Sequence, residues 1–221
     1  LMEGEVEFQQ DPCLIDMLLN MQRCSNFGIC DEAVYDPTNG HVPRGFSGAT
    51  GRLEDVYLIM VFAEPGFPLP GESYTGDPRK DLRFLLDAAY LRSGANMFHR
   101  NITSFLDSVL PSMAGDIDKQ LRHVWLTESR HCSIADEIGQ IKKRDRLICA
   151  TTHLVEQVKL FPNAVVLLAG GKAAQVGELF HHTIECGAFA PPGCNQKAVR
   201  ESHEQAANKC RSHMEQMMGE N

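Results

Sequence analysis

A glutamate directly after an apolar segment is the first residue of this chain that could do chemistry. Glu64 stands in Ala63-Glu64-Pro65-Gly66, which follows the fully apolar run at residues 56–62. Proline and glycine force a turn there. A rigid turn can hold a carboxylate about 2.6–3.2 Å from the water that it activates. Glu64 is therefore a candidate general base, and a solvated turn glutamate is the alternative.

Eight cysteines are the second feature that could do chemistry, and four of them fall into two pairs. Cys24 and Cys30 precede the apolar run, whereas Cys132 and Cys149 stand seventeen positions apart later in the chain. Thiolates bind zinc or iron–sulfur clusters, and free cysteines are also among the residues most often buried. A metal centre and buried free thiols both remain open from these residues alone.

Alternating apolar and amphipathic segments predict the elements that position these residues. Strands are expected at residues 56–62, 124–127, 164–169 and 183–189. Helices are expected at residues 77–94, 103–110, 146–160, 172–180 and 196–218. Two of the strands are apolar throughout, as strands buried on both faces of a parallel sheet are. The prediction is one α/β domain, a three-layer αβα fold around a central, mostly parallel four-stranded sheet.

The predicted fold also predicts where a ligand binds. In open α/β sheets, ligands bind outside the carboxyl ends of the strands. The loops that follow residues 62, 127 and 189 are therefore expected to converge on one site, and Glu64 belongs to the first of them.

Four short motifs, taken together and in order, resemble those of the uracil-DNA glycosylase superfamily, most closely its iron–sulfur branch. Residues 62–66 resemble the first motif, and residues 74–76 (Tyr-Thr-Gly) resemble an aromatic-x-Gly whose ring stacks on the extruded base. Residues 127–132 resemble a Thr-Asn-x-x-x-Cys stretch, and residues 168–174 a strand-to-helix element. The resemblance covers about residues 20–210 of a single domain that spans residues 1–221. It implies base flipping and hydrolysis of the N-glycosidic bond of uracil or another deaminated base in DNA.

The resemblance also implies roles for residues at the matching positions. Glu64 would orient or activate the attacking water and stabilise the cationic sugar. The base-binding residues would be Ala63, Pro65, Gly66, Tyr74 and Glu128. The DNA-binding residues would be Lys172, Pro191, Pro192, Gly193 and Asn195. A structural 4Fe-4S cluster would be held by Cys24, Cys30, Cys132 and Cys149, with zinc as the alternative.

Several positions depart from the family pattern. Phe62 replaces a usual glycine, and the early cysteines are separated by five residues where the family commonly has two. Glu128 stands where relatives carry asparagine, and Ala190 where they carry the histidine that stabilises the leaving base. An ionised glutamate only accepts hydrogen bonds, so the preferred base could differ from uracil. The alternative is a catalytically inactive descendant that binds DNA or a protein partner.

Composition limits the function classes. The net charge of −8 argues against a broadly basic DNA-binding surface. One basic groove stays compatible, because salt screens fields beyond roughly 8–10 Å. The sequence contains no apolar run of eighteen residues and no export signal over Leu1–Glu5. We therefore expect a cytoplasmic monomer, nucleoid-associated if bacterial, that binds DNA with a damaged base and no membrane.

Overall fold

A mixed, mostly parallel sheet forms the centre of the protein. The computed structural model describes residues 7–31, 33–133 and 141–219, so Leu1–Glu5, on which the expectation about export rests, lie outside it. The five strands are β1 (Ser47–Gly48), β2 (Leu58–Phe62), β3 (Val124–Glu128), β4 (Val165–Ala169) and β5 (Thr183–Cys186). Their spatial order is β1-β3-β2-β4-β5, with only β1 antiparallel to its neighbour. The predicted α/β class and mostly parallel sheet are confirmed.

The sheet contains one strand more than the predicted four. The additional strand, β1, comprises two residues and pairs with β3 at the sheet edge. Gly48 has a φ of +105°, and a Cβ there would lie 2.2 Å from the carbonyl oxygen of Val124. Only glycine allows this close approach. A strand of this length is too short to show an alternating pattern, which is why the sequence did not predict it.

Helices complete the fold around the sheet. They are α1 (Pro12–Gln22), α2 (Pro78–Leu85), α3 (Ala89–Ser93), α4 (Met97–Val109), α5 (Ile117–Gln120), α6 (Lys143–Cys149), α7 (Val155–Lys159) and α8 (Lys197–Gly219). A π-helical turn, Ala150–Leu154, joins α6 to α7, and a 3-10 helix, Ala173–Leu179, follows β4. No helix within the described ranges is both long and apolar enough to cross a membrane.

Two hydrophobic clusters show the three layers. On one face of the sheet, Leu58 and Met60 of β2 pack with residues of α4 and α8. On the other face, Ile59 and Val61 pack with residues of α1 and of the α6–α7 region. Consecutive residues of a strand point to opposite faces. Apolar residues at every position of β2 are therefore required, because both faces are covered by helices.

Element boundaries differ from the sequence prediction in several places. The helix predicted at residues 77–94 is divided into α2 and α3, and α4 begins at Met97, six residues earlier than predicted. Asn96 caps α4 through its side chain, which accepts from His99 N at 3.1 Å. Residues 172–180, predicted as a helix, form a tighter 3-10 helix, and the last strand ends at Cys186 instead of residue 189. Phe189 instead turns into the core against Phe62.

Helix α1 was not predicted, although its sequence carries the signals. Asp11 caps its first turn by accepting from Cys13 N at 2.8 Å, and Pro12 occupies the first helical position. Leu14 and Leu18 are one helical turn apart and fully buried. This combination of N-cap, proline and apolar spacing is typical of a helix start.

Candidate functional site

The carboxyl ends of three adjacent parallel strands bring charged residues together. Glu64 lies two residues after β2, Glu128 is the last residue of β3, and Lys172 lies three residues after β4. Because Phe62 is paired with Glu128 in the sheet, the loops after β2 and β3 start at the same level. The arrangement is the one expected for a ligand site of an open α/β sheet.

Glu64 is held by two cations. Its Oε2 accepts from Arg146 Nη2 at 2.7 Å, and its Oε1 accepts from Lys172 Nζ. The side chain of Glu64 is 18% exposed, that of Arg146 is 1% exposed and that of Lys172 is 56% exposed. Burial raises the pKa of Glu64, but the hydrogen bond from Lys172 and the charge of Arg146 outweigh it and hold that pKa below its usual value. Glu64 is therefore an ionised carboxylate at neutral pH.

Arg146 is a site residue to which the sequence assigned no role. It lies in α6, is almost fully buried, and binds the loops after both β2 and β3. Its Nη1 donates to Ser129 Oγ at 2.7 Å and to the carbonyl of Ala63. Ser129 Oγ in turn donates to the same carbonyl at 2.6 Å. An arginine among other charged residues at a helix start resembles a surface residue, so only the fold reveals this position.

Glu128 differs from Glu64 in its environment and in the direction of its pKa shift. It is buried, and its Oε2 has no hydrogen-bond partner among the described residues. Burial and then the charge of Glu64 raise the pKa of Glu128 well above its usual value, against the opposing charges of Arg146 and Arg44. A protonated carboxyl carries a hydrogen-bond donor as well as acceptors. The environment of Glu128 therefore favours a protonated carboxyl, which can donate a hydrogen bond as well as accept one.

Gly45 provides the space that Glu128 occupies. It has a φ of +89°, and a Cβ at this position would lie 2.4 Å from Cγ of Glu128. No local pattern in the sequence indicates this contact, because the two residues are distant in the chain. Any larger residue at position 45 would displace the Glu128 side chain.

Tyr74, the predicted base-stacking residue, is connected to the loop after β2 through an ion pair. Its hydroxyl donates to Glu72 Oε1 at 2.6 Å, and Glu72 lies 3.8 Å from Arg44 Nη1. Arg44 Nη2 donates to the carbonyl of Gly66 at 2.5 Å. Burial and the bond to Glu72 raise the pKa of the Tyr74 hydroxyl, so it stays protonated. Arg44 thus joins the segment of Tyr74 to the loop of Glu64.

The remaining residues predicted to bind base or DNA lie in loops at the same end of the sheet. Pro65 is buried, whereas Pro191, Pro192 and Asn195 are exposed and Gly193 is partly buried. The loop after β5 lies next to the loop after β4, since a Cβ on Gly170 would be 3.1 Å from Cβ of Ala188 and one on Gly193 would be 3.3 Å from the same atom. Lys172, predicted to contact phosphate, pairs with Glu64.

The four cysteines predicted as metal ligands line one cavity. Cys24 and Cys30 come from the segment after α1, Cys132 from the loop after β3, and Cys149 from the end of α6. Burial raises the pKa of Cys149 to about 12, and the charges of Cys24 and Cys30 add to it. Burial also raises the pKa of Cys132, with contributions from the other three thiols. Four thiols from three segments of the chain are therefore close neighbours.

Nitrogen atoms also face these sulfurs. The backbone N–H groups of Asn26 and His131 donate to Cys24 Sγ at 3.4 Å and to Cys149 Sγ at 3.5 Å. His153 Nε2 lies 3.1 Å from Cys24 Sγ. Hydrogen bonds to the sulfurs are among the features by which proteins tune iron–sulfur clusters.

A four-iron cluster and a zinc ion are both held by four cysteine thiolates in proteins. Within residues 7–31, 33–133 and 141–219, no three His, Cys, Asp or Glu side chains are arranged to hold one metal ion. A single zinc draws its thiolates close together, because each Zn–S bond is about 2.3 Å long. A four-iron cluster is a larger body and holds its four thiolates farther apart. The cavity lined by Cys24, Cys30, Cys132 and Cys149 supplies the number of thiols that either group requires.

Comparison with known proteins adds no family to this geometry. No protein-family model matches the chain, and no curated protein matches it either. The functional interpretation therefore depends on the motifs of the sequence and on the side chains gathered at the carboxyl end of the sheet.

Proposed function

We propose that the protein is a DNA glycosylase, similar to the iron–sulfur branch of the uracil-DNA glycosylase superfamily, that hydrolyses the N-glycosidic bond of uracil or another deaminated base. The observation that carries the proposal is the pair formed by Glu64 and Glu128. Their pKa values are shifted in opposite directions, and both lie at the carboxyl ends of neighbouring strands. Two carboxyl groups with separated pKa values are typical of sites that combine an anion with an acid.

Glu64 supplies the anionic half of the proposed reaction. As the bond to the base breaks, positive charge develops on the sugar, and a fixed carboxylate stabilises that charge electrostatically. Each carboxylate oxygen has a second lone pair beyond the one used by Arg146 or Lys172. Glu64 can therefore also orient the attacking water, while the two cations hold it in place.

Glu128 supplies a hydrogen bond to the base. Deaminated bases carry a keto oxygen where the parent base carries an amine, and a keto oxygen only accepts hydrogen bonds. The protonated carboxyl favoured by the surroundings of Glu128 can donate to that oxygen and accept from the adjacent ring N–H. In this way Glu128 would replace the amide that relatives use, and the substrate class is a deaminated base.

Base flipping requires a stacking surface and contacts to the strand. We assign stacking to Tyr74, whose hydroxyl is fixed by Glu72, and the walls of the base pocket to Ala63, Pro65 and Gly66. The DNA strand would be contacted by the exposed residues Pro191, Pro192 and Asn195, by Gly193 and by Lys172. The protein would act as a monomer on DNA that contains a damaged base.

Cys24, Cys30, Cys132 and Cys149 would hold a structural 4Fe-4S cluster, with zinc as the alternative. The bound group would supply cross-links among three segments and no step of the hydrolysis. One of these segments contains Ser129, which contacts Arg146. The cysteine residues would thereby help to fix the loop that precedes Cys132.

The second candidate function is binding without catalysis, to DNA or to a protein partner. The observation that favours it is the occupation of both Glu64 oxygens by cations, which makes the carboxylate a weak base. Under this alternative, Glu64 serves only to fix the loop after β2.

A product assay separates these two functions. Purified protein is incubated with oligonucleotides that contain uracil, hypoxanthine or xanthine, in single-stranded and duplex form, and abasic sites are detected by alkaline cleavage. We expect cleavage at one or more of these bases and none at the undamaged control. Binding of the same oligonucleotides without any abasic product would contradict the enzymatic proposal and support the alternative.

A further inference from the structure

Arg130 is a buried cation that forms no ion pair with the part of the chain that the structure describes. Its side chain is among the largest fully buried ones, with a relative exposure of 1%, and it lines the cavity of the four cysteines. Nη2 donates to the carbonyl of Asp31 at 3.3 Å. Nη1 is buried and has no hydrogen-bond partner among the described residues.

A charge in this position is costly unless an anion balances it. Burying an unpaired ion or an unsatisfied donor costs several kcal/mol in general, on the order of 3–5 kcal/mol when a buried pair is broken. The two nearby carboxylates have other partners: Asp31 is paired with Lys142, and Asp145 Oδ2 accepts from Asp31 N at 3.1 Å. Neutral thiols are weak acceptors and carry no charge.

The groups that face Arg130 identify the missing anion. The charge of Arg130 acts on Cys30, Cys132 and Cys149, opposing the burial that raises their pKa values. Four thiolates around an iron–sulfur core carry net negative charge inside the protein. The guanidinium therefore lies where such a centre would need both a positive charge and an N–H donor.

We propose that Arg130 is the counter-charge of a metal–thiolate centre in this cavity, with its unpartnered Nη1 donating to a sulfur of that centre. The inference rests on the proposed metal centre and not on the glycosidic reaction. Arg130 is a positioning and tuning residue in this account, because it acts on the centre and takes no part in hydrolysis.

Removing the charge of Arg130 should change the reduction potential of the metal–thiolate centre. The reduced centre is more negative than the oxidised one, so a buried positive charge stabilises it more. Arg130→Gln is expected to move the potential to more negative values and to release iron to a chelator about tenfold faster, as loss of one charge-assisted hydrogen bond predicts. Arg130→Lys keeps the charge and should stay closer to the parent protein.

Arg130→Gln should change the stability of the fold in opposite directions in the metal-free and the metal-loaded protein. In the metal-free protein, Arg130→Gln removes an uncompensated buried charge and should stabilise the fold. In the metal-loaded protein, the same substitution removes the counter-charge and should destabilise it. A side chain that serves only as packing would change both forms in the same direction.

The test uses the full chain reconstituted anaerobically with iron and sulfide, without DNA. Iron and sulfide content, absorbance at about 400 nm, the reduction potential and the unfolding midpoint are measured for the parent protein and for Arg130→Gln, Arg130→Lys and Arg144→Gln. Arg144 is an exposed arginine that also acts on Cys30, so its variant is the matched control and should leave all values unchanged.

Three results would overturn the inference. The first is a parent protein that retains no iron after reconstitution. The second is an Arg130→Gln protein with unchanged reduction potential, iron release and stability in both forms. The third applies if that variant does not fold when loaded: it is a large shift of the reduction potential in Arg130→Lys, which keeps the charge. None of these results depends on glycosidic activity, so the two proposals fail separately.

Discussion

At the residue scale, the ion pair with Arg146 gives Glu64 a structural role beside its proposed chemical one. Arg146 is almost fully buried, and Glu64 is the carboxylate bonded to its Nη2. Removing one member of a buried pair leaves the other charge uncompensated, whereas an exposed pair contributes little. The chemical role of Glu64 must therefore be tested with a variant that keeps an acceptor for Arg146.

Glu64→Ala and Glu64→Gln should differ in stability. We expect Glu64→Ala to lose about 3–5 kcal/mol of unfolding free energy, because the charge of Arg146 is left unpaired. Glu64→Gln retains an oxygen acceptor of similar size and should lose markedly less. Denaturant unfolding measures both. Lys172→Met is the control for the second, exposed partner of Glu64 and should lose less than about 1 kcal/mol of unfolding free energy. Equal stability of Glu64→Ala and the parent protein would be incompatible with a stabilising ion pair between Glu64 and Arg146.

Glu128 should make stability depend on pH. Its folded-state pKa is raised above the usual 4.5, so the stability that its proton contributes is fully present below that value and is lost as the pH rises through the folded pKa. Glu128→Gln does not titrate. At pH 4 the variant and the parent protein should be similar, and at pH 9 the variant should be more stable by about 1–3 kcal/mol. A difference that is constant over this range would show that Glu128 titrates normally.

At the element scale, the sequence predicted the strands that long apolar runs encode. Strands β2 and β4 were evident from uninterrupted apolar runs, and the direction of the sheet then placed Glu64 and Glu128 at one edge. The contacts that cross the chain were not predictable. Arg146 reaches across from α6, and Gly45 opposes Glu128, because the fold brings together residues whose local sequence carries no signal of the partner.

The close packing of the segment before β1 against Glu128 can be tested by substituting Gly45. Gly45→Ala combines a strained φ of +89° with a Cβ only 2.4 Å from Glu128 Cγ, so the carboxyl group must move. We expect a loss of about 1–3 kcal/mol for the strain alone and more for the clash. Gly115→Ala is the matched control, because its φ is +79° and its Cβ would meet open space. Equal losses in thermal or denaturant unfolding would show that the clash is relieved without cost.

At the scale of the whole molecule, the four-cysteine cavity connects segments that are far apart in the chain. The segment of Cys24 and Cys30 follows α1. Cys132 lies in the loop after β3, and Cys149 is the last residue of α6. A metal group bound by all of them would close long loops, and a group that binds only the folded state stabilises that state.

Loss of one ligand should therefore lower thermal stability. Cys132→Ser is expected to lose its iron and to unfold at a temperature roughly 10 °C lower. This shift corresponds to a loss of about 2.5–5 kcal/mol, because 1 kcal/mol shifts the unfolding midpoint by about 2–4 °C for a chain of this size. Iron content and the unfolding midpoint are the measurements. Cys13→Ser, at an exposed position, is the control and should match the parent protein. Equal iron content in both variants would place the metal elsewhere or nowhere.

We propose that the ionised Glu64 beside the protonated Glu128 drives cleavage of the bond between sugar and base. The most direct test of this proposal is single-turnover release of a deaminated base from an oligonucleotide, measured for the parent protein and for Glu64→Gln under conditions in which both are folded. We expect release by the parent protein and a loss of about 10²–10³-fold in the variant, the size typical of removing one electrostatic stabiliser. Release at the same rate by both proteins would contradict it.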